Sequence, residues 1–328
     1  MRRDGRTRGV ATSIAITGLR SFLGRRLAER LAAQPGLRVV GLDRLRPHGL
    51  SAGVSFREID LTRPDAGSTL ADCFHKEDVG VVVHLAFRRE PSPDLDADHE
   101  LETIGSLHLL HACAGAGVPR LVVGSSTMVY GPYPDNPNFL SEDHPLRGHP
   151  CAHSVQNRVD AERLVADWTA RHPSTSVCVL RPCWIVGPTY RDAVTRYFGR
   201  RVVPTLMGYD PLLQLVHEQD CLDAFERAAT GDHPGVFNVV APGVLPLSTL
   251  LRAAGKRLLP VPPPILYRLR AYPSQAQTGD RPEGFYDYLR YLWVADGRRG
   301  WEAFGRPLYS TREAWMSAVS AERMRSYR

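Results

Sequence analysis

Ser126, Ser154 and Arg158 are the residues in this chain whose types and spacing suggest joint chemistry. Ser126 sits in GSSTMVYGP (124–132), just past an apolar run and four residues before Tyr130. Ser154 and Arg158 stand four apart in HSVQNRVDAERLV (153–165), a segment with helical periodicity. Spacing of four places both side chains on one helix face. A hydroxyl at a strand end can orient a substrate by hydrogen bonding. The arginine stays charged and presents a rigid fork of donors. A serine hydroxyl with no strong base beside it is a poor proton donor or acceptor near neutral pH. His153 titrates in a useful range, but on a helix it points about 100° away from Ser154, so a solvated surface position is expected for it.

A second constellation lies near the start. TGLRSFLG (17–24) follows the apolar run SIAIT and opens an amphipathic segment ending at Pro35-Gly36. The spacing Gly18-x-x-Ser21-x-x-Gly24 fits a tight strand-to-helix corner that lets a dinucleotide pyrophosphate settle on a helix N-terminus. Asp43 follows Gly24 by 19 residues, at the end of the next apolar run. That is near the distance expected for a carboxylate on the adenosine ribose hydroxyls, where it repels a 2′-phosphate. NAD is therefore expected over NADP, with Gly18, Ser21, Phe22, Leu23, Gly24 and Asp43 as contacts.

These residues need a scaffold, and the first half supplies one. Strands are expected at 13–17, 37–42, 54–59, 79–85, 120–124 and 175–180, with helices at 21–33, 94–116 and 152–171 between them. Strands alternating with helices of this length imply parallel βαβ units in an α/β, doubly wound sheet. The second half is richer in proline. PLLQLVHEQD (211–220) reads as a strand leading to a helix over 221–229 capped by Asp220, and GVFNVV (235–240) as another strand. VPPPILYRLR (261–270) reads as a short lid helix, with a membrane-surface contact as the other reading. The expected domains are a dinucleotide-binding domain over 10–187 and a mostly substrate-binding region over 188–328, with about 211–240 returning to the first.

Composition narrows the function classes. With 43% apolar and 23% charged residues, the chain can bury a sizeable core. No apolar run is long enough to span a bilayer. The basic start MRRDGRTRG lacks the apolar stretch of a secretory signal and reads as a short tail. The six cysteines form no CxxC pair, which favours reduced thiols, a cytoplasmic setting and no metal site. The formal charge is +6, and all basic residues except Lys76 and Lys256 are arginines. They are spread along the chain rather than gathered in a stripe, so no nucleic-acid partner is expected.

The ordered set ITGLRSFLG, EIDLT (58–62), VVVHLAF (81–87), SSTMVYG (125–131), LRPCWIVGP (180–188), LVHEQD (215–220) and FNVV (237–240) resembles the extended short-chain dehydrogenase/reductases, and among them the NAD-dependent epimerase/dehydratase family. It is most similar to an actinobacterial UDP-glucose 4-epimerase-like branch. The resemblance implies that Asp60 and Leu61 hold the adenine, that His84, Leu85 and Ala86 line the cofactor, and that Ser126 orients the substrate. It also implies a tyrosine proton donor with a lysine four residues later, and these positions fall on Ser154 and Arg158. Arg158 then takes the lysine's place at the nicotinamide ribose. Thr127 and Met128 stand where the dehydratases carry an Asp-Glu pair, so chemistry of that kind is not expected. Tyr133, in the loop where the family lines its substrate pocket, is the candidate replacement donor. The implied substrate is a small molecule, a nucleotide sugar or a related secondary alcohol or ketone, and a homodimer is implied. Three readings follow: an oxidoreductase or epimerase with an altered proton relay, a catalytically silent cofactor-binding protein or partner subunit, and a non-redox lyase or cyclase.

Overall fold

The computed structural model describes residues 12–87, 94–268 and 282–326. Most of the N-terminal tail, and Leu269 and Arg270 at the end of the expected lid helix, lie outside the described residues. Seven parallel strands form the central sheet: β1 (Thr12–Thr17), β2 (Leu37–Asp43), β3 (Val54–Glu58), β4 (Val79–His84), β5 (Arg120–Gly124), β6 (Ser176–Pro182) and β11 (Gly235–Val239). Their spatial order is β11-β6-β5-β4-β1-β2-β3. The chain winds outward from β1 to β3, then crosses over to β4 and winds the other way. Such a reversal opens a crevice beyond the carboxyl ends of the strands, here between β1 and β4.

The strands are apolar on both faces because helices cover both. On one face Ile14 and Ile16 of β1 pack with Leu23, Leu27 and Leu31 of α1 (Phe22–Ala32). On the other, Ala15 and Val82 pack with Leu70 and Phe74 of α2 (Ala66–Lys76) and Leu109 and Leu110 of α4 (Gly105–Gly115). The fourfold spacing in α1 gives one buried stripe. Its exposed side is tied to α7 (Glu218–Thr230) by Arg30, 2.5 Å from Asp223 and 2.7 Å from Glu226. α5 (His153–Arg171) connects β5 to β6 and buries Val155, Val159 and Trp168.

Periodicity missed several features. The helix expected over 94–116 is broken: α3 (Leu95–His99) passes into a π-turn over Glu100–Ile104 before α4 begins. The Ser106 hydroxyl donates to the Glu102 carbonyl within this stretch, and Asp98, Glu102 and Ser106 are buried. The helix expected from Cys221 begins three residues earlier. His217 caps it by accepting the Gln219 N–H at 3.2 Å. Asp220 is not the cap; its carboxylate accepts the N–H groups of Leu308 and Tyr309 instead. The expected strand in 211–220 is two short ones, β9 (Leu212–Leu213) and β10 (Leu215–His217), outside the main sheet. β10 pairs with β7 (Trp184–Val186), and β9 with β12 (Leu245–Pro246). A parallel pair, β8 (Val202–Leu206) and β13 (Arg257–Val261), stands at the periphery, followed by α9 (Pro263–Arg268).

Candidate active site

The corner between β1 and α1 is built by close backbone approach. Gly18 has φ +72°, and a Cβ there would lie 2.3 Å from the Leu85 carbonyl oxygen at the end of β4. A Cβ on Gly24 would lie 2.3 Å from the Gly18 carbonyl. Gly18 is therefore required by both its positive φ and this contact, and Gly24 by contact alone. Ser21 caps α1, its hydroxyl oxygen accepting the Gly24 N–H at 3.0 Å. A serine hydroxyl that accepts one bond keeps its O–H as a donor. Asp43 accepts the Arg20 N–H on one oxygen and the Arg44 N–H on the other, both at 2.8 Å, and each oxygen keeps a lone pair. Asp60 accepts both the N–H and the hydroxyl of Thr62 on a single oxygen, leaving the second available. Leu61 is buried beneath Gly105. Leu23 is core rather than lining, while Phe22 packs edge-on against Tyr190 with ring centres 5.1 Å apart.

His84 is fully buried and fixes the floor of the crevice. Its Nδ1 lies 2.7 Å from the Thr17 hydroxyl and its Nε2 3.0 Å from the Ser106 hydroxyl. Ser106 already donates to Glu102, so Nε2 carries the imidazole proton and Thr17 donates to Nδ1. The Thr17 oxygen accepts the Leu85 N–H at 3.1 Å, completing a chain from β1 to α4. Burial pushes the His84 pKa down to about 3, so the ring is neutral. Leu85 and Ala86 are also buried along this wall.

Across the crevice, Ser126 follows β5 and caps a short 3-10 turn (Thr127–Tyr130), accepting the Met128 N–H at 3.2 Å. Ser125 donates to Glu162 on α5. Arg158 reaches the Ser125 carbonyl at 3.5 Å, and its guanidinium lies over the Phe87 ring at 5.4 Å. The structure thus brings the ends of β4 and β5 together with the first two turns of α5, which carry Ser154 and Arg158. The Tyr133 ring lies against Gly131, with the Arg147 guanidinium 3.8 Å from its centre. His153 is half-buried rather than solvated, and its Nε2 has no hydrogen-bond partner among the described residues.

Spacing alone missed the support beneath these hydroxyls. Glu162 lies one turn beyond Arg158, and its carboxylate binds Arg181 of β6 at 2.6 Å with both side chains buried. Arg181 also donates to the Tyr130 hydroxyl at 2.9 Å and the Glu142 carbonyl at 3.0 Å. Tyr130 donates to Asn238 of β11 at 2.7 Å. Burial, outweighing the adjacent Arg181, pushes the Tyr130 pKa up to about 12, the wrong direction for an acid–base phenol. The fourfold run Ser154, Arg158, Glu162 was the available signal for Glu162.

α10 (Pro282–Asp287) clamps both hydroxyl-bearing elements. A Cβ on Gly284 would lie 2.8 Å from that of Ala152, just before α5. His149 accepts the Cys151 N–H on Nδ1, so its Nε2–H donates to Asp287 at 3.0 Å. Burial opposes charge on Asp287, but hydrogen bonds from His149 and Tyr267 prevail and hold its carboxyl below the usual range. Tyr288 donates to the Met128 carbonyl at 2.6 Å. Among the described residues no cluster of three metal-ligating side chains occurs, and no helix is long and apolar enough to cross a membrane.

A doubly wound sheet, a glycine corner at its reversal point and a hydroxyl strand facing a long helix define a dinucleotide-dependent class of protein. Residues 14–239 match the NAD dependent epimerase/dehydratase family, and the chain belongs to it. It is 32% identical over 311 residues to the uncharacterized protein Rv0501 of Mycobacterium tuberculosis (strain H37Rv), covering 92% of this chain and 82% of that one. Among solved structures it is similar to a UDP-glucose 4-epimerase of Thermotoga maritima with UDP-glucose (20% identity, TM-score 0.72, 96% and 100% of the chains). It is also similar to a Thermus thermophilus UDP-glucose 4-epimerase in complex with NAD (21% identity, TM-score 0.72, 95% and 99%). The structure of MoeE5 with UDP-glucuronic acid and NAD is 25% identical, with a TM-score of 0.70 and coverage of 95% and 99%.

Proposed function

We propose that this chain binds NAD in the β1/β4 crevice and acts as an oxidoreductase or epimerase on a nucleotide sugar or related secondary alcohol or ketone, through a proton relay without the α5 tyrosine. The observation that carries this reading is the Gly18–Leu85 contact. It closes the corner so tightly that no side chain fits at Gly18, which would let a pyrophosphate approach the backbone there. The α1 N-terminus and the Ser21 O–H would take the phosphates, Asp43 the adenosine ribose diol, and Asp60 the adenine. Bound NAD would accept a hydride from the substrate carbon and, in an epimerase cycle, return it. Ser126 would orient the substrate oxygen. Arg158 would hold the nicotinamide ribose with a fork where the family uses an ammonium. Ser154 is a ring's length shorter than tyrosine, so in this proposal its hydroxyl reaches the substrate through a water.

The packing of Tyr130 and Tyr133 favours a second reading, a cofactor-binding protein that no longer turns over. The Tyr130 phenol is tied into a buried network that pushes its pKa up despite Arg181, and the Tyr133 ring is covered by the Arg147 guanidinium. The test is to identify the nucleotide released from purified protein, titrate NAD and NADP by calorimetry, and assay a panel of sugar nucleotides. Tight NAD with turnover supports the first reading, and NAD without turnover supports the second. No heat at millimolar NAD overturns both.

A further inference from the structure

The peripheral β8–β13 pair carries a surface that the proposed chemistry does not use. Val203 and Thr205, which share its inner face, are buried. Its outer face is aliphatic. Val202, Met207, Leu259 and Ile265 are between 44% and 50% exposed. The register puts Val202 and Leu259 on one face, with Met207 and Ile265 following the two strands. Val202 sits opposite Arg257 and Leu259 opposite Pro204, while the Met207 N–H bonds the Val261 carbonyl just before α9, which carries Ile265.

The surrounding charge is mostly positive. Residues 193–210 and 245–267 contain Arg196, Arg200, Arg201, Arg252, Lys256 and Arg257, with Asp210 as the single carboxylate. Asp210 is engaged by Ser248, and Lys256 by Glu322 of α12 (Thr311–Ser326). Arg257 lies opposite Val202 on this face, and Arg200, Arg201 and Arg252 are exposed. In the chain as a whole the two signs are nearly balanced, 41 basic to 35 acidic, so this bias is local.

We infer that this face docks on an anionic phospholipid bilayer. Four aliphatic side chains would enter the headgroup–acyl boundary while the arginines bind lipid phosphates. The composition argues against other partners. Protein hot spots favour Trp, Tyr and Arg over Leu and Val. Single-stranded nucleic acid needs exposed stacking rings, but Tyr197 and Phe198 of this lobe are buried. Pro204 and Pro260 remove N–H groups from the two-stranded sheet, which discourages strand addition by a second copy.

The test is co-sedimentation of the full chain with extruded vesicles of pure phosphatidylcholine and of phosphatidylcholine with 30% phosphatidylglycerol (about a third anionic, enough to charge the surface). Binding to the anionic vesicles at least tenfold tighter than to the neutral ones, weakened by added salt, is expected. The double substitution Leu259→Glu, Ile265→Glu should lose at least tenfold of that binding, and so should Arg201→Glu with Arg257→Glu. Both variants should keep the wild-type melting temperature within a few degrees. If these variants melt early, Leu259→Ser with Ile265→Ser serves in their place. Equal binding to both vesicles, no binding, or a concentration-dependent dimer broken by the Leu259 and Ile265 substitutions would overturn the inference.

Discussion

The two walls of the β1/β4 crevice differ in what holds them. On the cofactor wall, Gly18, Gly24, Ser21 and Asp43 work mainly through backbone: two carbonyl contacts, a helix cap and a pair of N–H bonds to a carboxylate. On the chemistry wall everything depends on side chains, and in the proposed reading Ser154 and Arg158 stand there in place of a tyrosine and a lysine. A wall made of backbone is hard to change without losing the fold. A wall made of side chains standing on Glu162 and Arg181 can exchange its reactive groups while its supports stay in place. In the proposed reading, cofactor binding and turnover are therefore separable.

The sharpest way to break that separation is to restore the chemistry wall. Ser154→Tyr with Arg158→Lys should raise epimerase turnover on a sugar nucleotide by about 10²–10⁴, the usual worth of a positioned acid–base group; no gain, read by a coupled rate assay, would mean the substrate pocket has diverged as well. The other wall should fail outright. Gly18→Ala forces a side chain to positive φ and into the Leu85 carbonyl, so thermal unfolding should show a loss of about 3 kcal/mol and calorimetry no NAD binding. His84 gives a smaller, pH-dependent effect. Its folded pKa is depressed, so the unfolded state binds the extra proton. Its contribution is complete above pH 6.5 and fades as pH falls toward 3, by up to about 1.4 kcal/mol per unit. Urea unfolding at stepped pH should show this slope, and His84→Gln should flatten it. The mildest change is Asp43→Asn, expected to weaken NAD by about tenfold while NADP weakens less, since the repulsion of a 2′-phosphate is removed.

The sheet and the glycine corner were legible because each leaves a local mark: apolar runs between helical repeats, and glycines at the one place where backbones touch. The π-turn at Glu100–Ile104 left none, because one extra residue in a helix changes its phase without changing its composition. The early start of α7 was hidden because His217, an uncommon cap, does the work expected of Asp220. The buried set of Glu162, Arg181, Tyr130 and Asn238 was invisible for another reason. Its members are spread over more than 100 positions and meet only when β11 pairs with β6. Spacing placed Ser154 and Arg158 on one face, but only three-dimensional packing shows Arg158 seated between Phe87 and the Ser125 carbonyl.

The edge position of β11 has a practical consequence. This strand is the last to join the sheet, and it is separated from α7 by the turn around Asp232 and Pro234, both exposed to solvent. Breaking the polypeptide there would give a six-stranded fragment with β6 uncovered and a partner carrying the missing strand with Asn238. Co-expressed, the two pieces form a natural pair for a complementation reporter whose signal tracks recovery of the buried Tyr130–Asn238 bond.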